Sequence, residues 1–271
     1  MKQEKKKMGQ MEMQLFAYAQ LREKDIIKTG ELIPALGITG KQERELLSRM
    51  ARSGLIIRLK RGVYLVPSRM PAGGRWGVSE YLILPKLMAE LKGKYQLSGP
   101  TAFNYYGYDE QVPNKVYVYN NRISGRRTIG GIEFLFIKVG DSRLGSTKTI
   151  KTPEGFKVPL VSRARALLDA VYDWSRYNTI PRAYEWIASS VKKQPDIADG
   201  IIDCALRFGN QGTIRRIGYL LELLSAPDRR LNRMKRALRS SKSLIPYIPG
   251  RQAKGTTNRA WGLIVNERSS P

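Results

Sequence analysis

Arginine and lysine are the residues best able to do chemistry in this sequence, and two groups of them stand at helical spacing. Cationic and amide side chains on one helix face can hydrogen-bond base edges and phosphate oxygens. The first group lies in a predicted helix over residues 39–53 and in the turn after it: Lys41, Gln42, Arg44, Ser48, Arg49, Arg52, Lys60 and Arg61. The second lies in a predicted helix over residues 228–239: Arg229, Arg230, Arg233, Arg236 and Arg239.

The overall charge points to a polyanionic partner. The chain carries 48 Lys and Arg against 23 Asp and Glu, a net charge of +25. Residues 1–70 hold 15 basic and 7 acidic residues, and residues 226–271 hold 11 and 2. Nucleic acid is the usual partner of such a field. A generally basic protein and an anionic membrane surface are the alternatives, and an acidic protein or plain solvation would also account for the C-terminal group.

Few residue types suited to catalysis are present. The 271 residues include no histidine and a single cysteine, Cys204, which excludes histidine-based triads and cysteine zinc clusters. A Gly-Ser loop at residues 140–146 lacks a following Asp-x-Asp pair, and three acids share a helix face at Asp196, Asp199 and Asp203. We expect no catalytic activity, cofactor or metal. No apolar run reaches the ~18 residues of a membrane span, so a cytoplasmic location without membrane binding is expected.

The basic residues of the first group require a particular set of elements. Helical patterns over residues 11–22, 29–36 and 39–53 precede a hairpin over residues 55–67. Thr39 and Gln42 form a capping box, and Thr29 is a candidate N-cap. This order predicts a winged helix-turn-helix, with its third helix in the major groove and Lys60 and Arg61 at phosphate or in the minor groove. A solvated helix beside a surface hairpin is the alternative.

The rest of the chain predicts a second domain. Strand patterns at residues 115–120, 127–129 and 132–139 precede helical patterns from residue 162 to residue 239, and residues 260–265 could add an end strand. The fold class is therefore α+β: an N-terminal winged helix-turn-helix over residues 1–70, then a C-terminal domain over residues 75–271 with a small, mostly antiparallel sheet and a helical bundle. Residues 68–74, rich in Pro and Gly, are the expected linker.

Five tyrosines cluster in the middle of the chain, namely Tyr105, Tyr106, Tyr108, Tyr117 and Tyr119. Aromatic rings of this kind stack on the bases of single-stranded nucleic acid. Half-buried strands and protein interfaces also use tyrosine, so both interpretations are open.

Four segments in this order resemble the AbiEi antitoxin family over roughly residues 12–225. They are the wing KRGVYLVP, the segment LSGPTAFNYYGY, a strand hairpin and the helix VSRARALLDAVYD. On this match Ser98, Ala102, Tyr106 and Gly107 fall on the small-residue and aromatic segment of the family. Leu167, Leu168 and Asp169 fall on its R-A-L-L-D helix.

The resemblance implies an antitoxin of a type IV (abortive-infection) toxin–antitoxin system. Its winged helix would bind double-stranded promoter DNA and repress its own operon. Its C-terminal domain would counter a cognate nucleotidyltransferase toxin encoded alongside, with or without direct contact. A stand-alone winged-helix transcriptional regulator and a nucleic-acid-processing enzyme are the alternative functions.

Overall fold

The structure is a computed structural model that describes residues 8–69, 76–152, 155–239 and 243–266. Most of the expected linker, from residue 70 to residue 74, therefore lies outside the described residues. The chain forms two compact units. The first comprises Met1–Gly93 and Arg126–Phe134, and the second comprises Lys94–Gly125 and Leu135–Pro271.

The first unit contains the predicted winged helix. Its helices are α1 (Gln10–Leu21), α2 (Leu32–Leu36), α3 (Gly40–Ser53) and α4 (Glu80–Glu90). Its strands are β1 (Ile26–Lys28), β2 (Ile57–Lys60) and β3 (Val63–Leu65), which form an antiparallel sheet in the order β1-β3-β2. Sequence analysis missed β1, because three residues are too few to show an alternating pattern.

Apolar faces of the three short helices meet in one core. Leu15 and Phe16 of α1 pack in a cluster with Leu46, Leu47 and Met50 of α3, all at most 2% exposed. The predicted capping box of α3 is present: Gln42 N donates to Thr39 Oγ1 at 3.3 Å, and Thr39 N donates to Gln42 Oε1 at 2.8 Å. The start of α3 is therefore determined locally.

The start of α2 differs from expectation. Thr29 was the candidate N-cap, yet α2 begins at Leu32, and its N-cap Glu31 makes no side-chain capping bond. A buried carboxylate from α3 takes that role, because Glu43 accepts hydrogen bonds from Gly30 N at 2.7 Å and Leu32 N at 2.9 Å.

The first unit extends beyond the predicted domain of residues 1–70. Lys86 of α4 forms an ion pair with Asp25, and Glu90 forms one with Lys28 at 3.0 Å. The turn of a later hairpin also belongs here: Gly130 adopts φ +60°, and a Cβ at that position would lie 2.8 Å from Val78 Cγ1. These contacts explain why α4 and residues 126–134 join the unit.

A mixed sheet follows, most of which belongs to the second unit, while residues 126–134 of one of its hairpins belong to the first. The strands are β4 (Tyr95–Leu97), β5 (Val116–Asn120), β6 (Gly125–Ile129), β7 (Ile132–Lys138), β8 (Thr147–Lys151) and β9 (Lys157–Val161), in the order β6-β7-β5-β4-β9-β8. The pairs β4–β5 and β8–β9 are antiparallel, and β4–β9 is parallel.

The first helix of this unit lies between β4 and β5, and the later ones follow the sheet, as the sequence predicts. The helices are α5 (Gly99–Tyr105), α6 (Arg163–Tyr172), α7 (Trp174–Tyr177), α8 (Arg182–Lys193), α9 (Ile197–Phe208), α10 (Gln211–Leu223) and α11 (Asp228–Ala237). A small sheet of β10 (Ile245–Pro246), β11 (Thr256–Asn258) and β12 (Leu263–Val265) ends the unit. The predicted α+β class is confirmed. Within the described ranges, no helix has the length and apolar character needed to cross a bilayer.

Candidate nucleic-acid interface

The polar face of α3 is the best-formed candidate surface for nucleic acid. Lys41, Arg44, Ser48 and Arg52 are exposed and recur at i, i+3, i+7 and i+11, a spacing that places them along one side of the helix. Glu45 is the one acid among them. The opposite face carries the buried residues of α3. At 1.5 Å per residue, this 14-residue helix is about 21 Å long, enough to cross a major groove.

Glu43 fixes this helix relative to α2. Its side chain is fully buried on the apolar side of α3, and its two oxygens accept the backbone N–H groups of Gly30 and Leu32. The helix N-terminus stabilises the negative charge, while the carboxylate satisfies two amides that α2 leaves open. The sequence signal that could have revealed this role is an acid at an apolar position of a helical pattern.

Two of the residues predicted to contact bases, Gln42 and Arg49, form contacts within the first unit. The Gln42 Oε1 atom is used by the capping box. Arg49 lies at the margin of the polar face, where its Nε forms an ion pair with Glu12 Oε1 of α1 at 3.1 Å. Lys41, Arg44, Ser48 and Arg52 are therefore better placed than these two for base contact.

Of the two cations expected at the wing, Lys60 is bonded within the first unit and Arg61 is exposed. Lys60 Nζ donates a hydrogen bond to the backbone oxygen of Glu90 at 2.9 Å, near the end of α4. Arg61 is exposed in the turn, and Gly62 beside it adopts φ +74°, as a tight turn requires. Arg58 is also exposed on β2 but was not predicted. The alternation of apolar and basic residues over 57–60 is the signal that could have identified it.

Bonds to the Glu31 carboxylate hold the segment between α1 and α2. Glu31 receives hydrogen bonds from Lys28 N at 3.1 Å and Tyr18 Oη at 3.2 Å, and its ion pair with Lys24 is 2.7 Å long. Burial tends to raise the pKa of Glu31, but the bonds from Lys24 and Lys28 outweigh it and lower the pKa below its ordinary value. Glu31 is therefore ionised at neutral pH.

The second predicted group of arginines is divided between intramolecular and solvent contacts. Arg230 pairs with Asp199 at 2.6 Å, and Arg233 pairs with Asp203 at 2.9 Å, so that α11 lies along α9. Arg236 donates to the Asn232 backbone oxygen of its own helix. Arg229 and Arg239 have exposed side chains. Contact with a nucleic acid or protein through this helix stays a prediction, which we now restrict to Arg229, Arg236 and Arg239.

Two of the three acids that the sequence suggested as metal ligands take part in the same pairs. Asp199 and Asp203 each face an arginine. Among the described residues, no group of three or more His, Cys, Asp or Glu side chains is arranged to hold a metal. Cys204 is buried, and burial raises the pKa of its thiol.

The R-A-L-L-D segment builds the core of the second unit. Leu167, Leu168 and Asp169 of α6 are fully buried. Asp169 Oδ1 accepts from Arg165 Nε at 2.9 Å and from Arg143 at 3.1 Å. Burial raises the pKa of Asp169, and the two arginines oppose that rise. The acid therefore holds residues 141–143 against α6.

The small-residue and aromatic segment lies next to the same strands. Ser98 and Ala102 are buried, whereas Gly107 adopts φ +71° after α5. Tyr106 donates its hydroxyl proton to Val161 O at 2.8 Å. This segment therefore joins α5 to β9 within the second unit.

Comparison with known proteins supports the interpretation of the first unit. Residues 16–67 match the family model described as "Transcriptional regulator, AbiEi antitoxin". The fold is similar to the crystal structure of the RV2827C protein from Mycobacterium tuberculosis, with a TM-score of 0.55 over 95% of this chain and 92% of that chain. At 13% identity, this similarity concerns the fold alone. No curated protein matches the chain. The predicted resemblance is thus confirmed over residues 16–67, where the winged-helix segment is similar to the AbiEi antitoxin transcriptional regulators.

Proposed function

We propose that this protein is a DNA-binding antitoxin of a type IV, abortive-infection system, which represses its own operon and counters a cognate nucleotidyltransferase toxin. The observation that carries the proposal is the exposed basic face of α3, positioned by Glu43 and the Thr39 cap within the segment that matches the AbiEi regulators.

The DNA-binding half follows from the chemistry of that face. Arg44 and Arg52 can each donate two hydrogen bonds to guanine, and Ser48 between them can contact either type of base pair. Lys41 lies near the start of α3, and Arg61 is exposed in the wing, where both can contact phosphate. Base contacts then select the promoter sequence while phosphate contacts supply affinity.

The antitoxin half rests on the family match and on the resemblance of the second unit. The segments LSGPTAFNYYGY and VSRARALLDAVYD lie in that unit, which has its own core. We propose that this unit counters the toxin without a catalytic step of its own and without a requirement for direct contact.

The DNA-binding half is tested by titrating labelled promoter DNA and a scrambled duplex with wild-type protein and Arg44→Ala/Arg52→Ala. Each base-reading arginine should contribute roughly 1–3 kcal/mol at the promoter and much less on the scrambled duplex. The matched control is Lys192→Ala/Lys193→Ala, which removes the same charge from exposed positions of α8. Equal losses on both duplexes would contradict base reading by α3.

The antitoxin half is tested by growth rescue, with the neighbouring nucleotidyltransferase gene expressed from an inducible promoter. Wild-type protein should restore growth. Arg44→Ala/Arg52→Ala should also restore it while failing to repress a promoter reporter. If the folded wild-type protein represses the reporter but never restores growth, the protein is a stand-alone regulator and the antitoxin proposal is wrong.

A further inference from the structure

The second unit carries a row of four aromatic rings that the proposed function does not use. Tyr105, Tyr106, Tyr108 and Trp186 follow one another with ring centroids 5.2, 6.1 and 5.8 Å apart. Tyr105 is 50% exposed, and the other three are partly exposed. The rings come from α5, from the chain that follows it and from α8, so they form a surface rather than a single helix stripe.

Hydrogen bonds and packing hold the inner rings in place. Tyr106 is bonded to the Val161 carbonyl, and the Tyr108 oxygen accepts from Ser190 Oγ at 3.2 Å. The Trp186 ring lies 5.4 Å from the buried ring of Phe103. A preorganised aromatic surface loses little conformational entropy when a partner stacks on it.

Three exposed cations border the row. Lys148 Nζ lies 4.8 Å from the centroid of Tyr105 and 5.1 Å from that of Tyr106. Arg163 Cζ lies 5.4 Å from the Tyr106 centroid, and Arg182 Cζ lies 5.7 Å from the Trp186 centroid.

These cations differ in how far they are neutralised. Arg182 is paired with Asp109 at 3.6 Å. Within the part of the chain that the structure describes, Lys148 and Arg163 form no salt bridge with an acid, and both are exposed. Their charge is therefore available to an anion lying along the rings.

We propose that this platform, defined as Tyr105, Tyr106, Tyr108, Trp186, Lys148 and Arg163, binds single-stranded nucleic acid. Unpaired bases stack on aromatic rings, and cations beside the rings contact the phosphates between them. A duplex fits less well, because pairing and stacking keep the faces of its bases covered. An acidic peptide would use the cations but would leave the row of rings without stacking partners.

The phenols of the platform do not oppose a polyanion. Burial raises the pKa of Tyr106 to about 12 and raises the pKa of Tyr108 above its ordinary value. Both side chains are therefore neutral near pH 7 and add no negative charge beside the phosphates.

The test uses the full chain and fluorescein-labelled 12-nucleotide RNA and DNA of one sequence, with a blunt duplex for comparison. Wild-type protein should bind both single strands. The strand that binds more tightly shows whether the natural ligand is RNA or DNA. Tyr105→Ala should weaken single-strand binding about 10-fold, the scale of one lost stacking contact, whereas Tyr105→Phe should retain it. Lys148→Gln should weaken binding and reduce the salt slope by about 1.

The α3 face provides the matched control. Arg44→Ala/Arg52→Ala should lose promoter binding and keep the single-strand affinity of the wild type. Tyr105→Ala should lose single-strand affinity and keep promoter binding. The proposal is overturned if Tyr105→Ala binds single strands as wild type does, or if Arg44→Ala/Arg52→Ala abolishes that binding. It is also overturned if polyglutamate competes as well as the single strands. Failure here leaves promoter recognition by α3 untouched.

Discussion

The most consequential single residue in the first unit is an acid that contacts only backbone. Glu43 lies on the apolar face of α3, where its carboxylate joins the start of α2 to α3. An apolar side chain at this position would leave two amides without acceptors, which explains why an acid is present in the core. The angle at which α3 is presented depends on this contact.

Replacing Glu43 tests the importance of the contact. In Glu43→Gln one oxygen becomes an amide that faces a backbone N–H, so the free energy of unfolding should fall by about 1–3 kcal/mol. Chemical denaturation followed by circular dichroism measures the change. Glu45→Gln on the exposed face is the control and should alter stability by less than about 0.5 kcal/mol. Equal effects of the two substitutions would contradict the assignment.

The lowered pKa of Glu31 predicts how the stability of the protein changes at low pH. Its pKa in the folded protein lies below the ordinary value of 4.5, so its contribution to stability is present above that pH and is lost as the pH falls through the folded pKa. The Tm of wild-type protein should therefore fall more steeply below about pH 4.5 than the Tm of Glu31→Gln. Parallel Tm curves for the two proteins between pH 6 and pH 3 would contradict this.

At the scale of elements, a buried tryptophan attaches the C-terminal strands to α10. Trp261 is fully buried, and its Nε1 donates to Glu222 Oε2 of α10 at 2.9 Å. Its ring lies over Gly218, where an added Cβ would be 2.1 Å from Trp261 Cζ3. The glycine is required by this close approach of the ring, not by its backbone angles.

Gly218→Ala should therefore displace the ring. Overpacking of this kind costs about 1–3 kcal/mol, which exceeds what the helix gains from alanine. Gly212→Ala in the same helix is the control, because the atoms nearest its new Cβ would be Arg216 Nη1 at 3.3 Å, Ile245 Cδ1 at 3.4 Å and Asn210 Oδ1 at 3.5 Å, all well beyond the 2.1 Å found at Gly218. Thermal unfolding should rank Gly218→Ala well below Gly212→Ala, and the reverse order would show that the ring can move freely.

Helices were easier to predict from the sequence than strands, for a physical reason. The cap at Thr39 and the apolar positions of α3 are local signals. In contrast, β8 reads TKTIK and is almost wholly exposed at the edge of its sheet, so it has no buried alternation to detect. The three-residue β4 becomes recognisable only through its pairing with β5 and β9.

In the candidate site, too, local features were predictable from the sequence and long-range contacts were not. The exposed face of α3 follows from helical spacing alone. The pairing of Arg49 with Glu12 and the bond from Lys60 to Glu90 link residues 37 and 30 positions apart, and no local pattern reveals such contacts. Those two cations each have a partner within the first unit that the sequence does not reveal, and their contact with DNA stays a prediction.

At the scale of the whole molecule, only some of the cations behind the net charge of +25 are free to contact a polyanion. Many cations are paired internally, among them Arg143 and Arg165 in the core of the second unit and Arg230 and Arg233 on α11. The net charge therefore overstates the number of groups that can meet phosphates. Exposed cations remain on α3, the wing and the C-terminal helix, and also at Lys148 and Arg163 beside the platform.

The salt dependence of promoter binding should reveal which cations act. Each phosphate neutralised by the protein contributes about −0.9 to the slope of log K against log salt, so the full chain should show a slope of several units. Arg229→Gln/Arg239→Gln removes two exposed cations and should lower that slope by about 1–2 if the C-terminal helix contacts DNA. Arg230→Gln/Arg233→Gln removes the same charge, but the lost side chains face Asp199 and Asp203, so it should change the slope less and destabilise α11 instead. Equal reductions in slope for the two double variants would mean that the intramolecular pairs open on binding. An unchanged slope for both would remove the C-terminal helix from the DNA interface and leave the winged helix to bind the promoter alone.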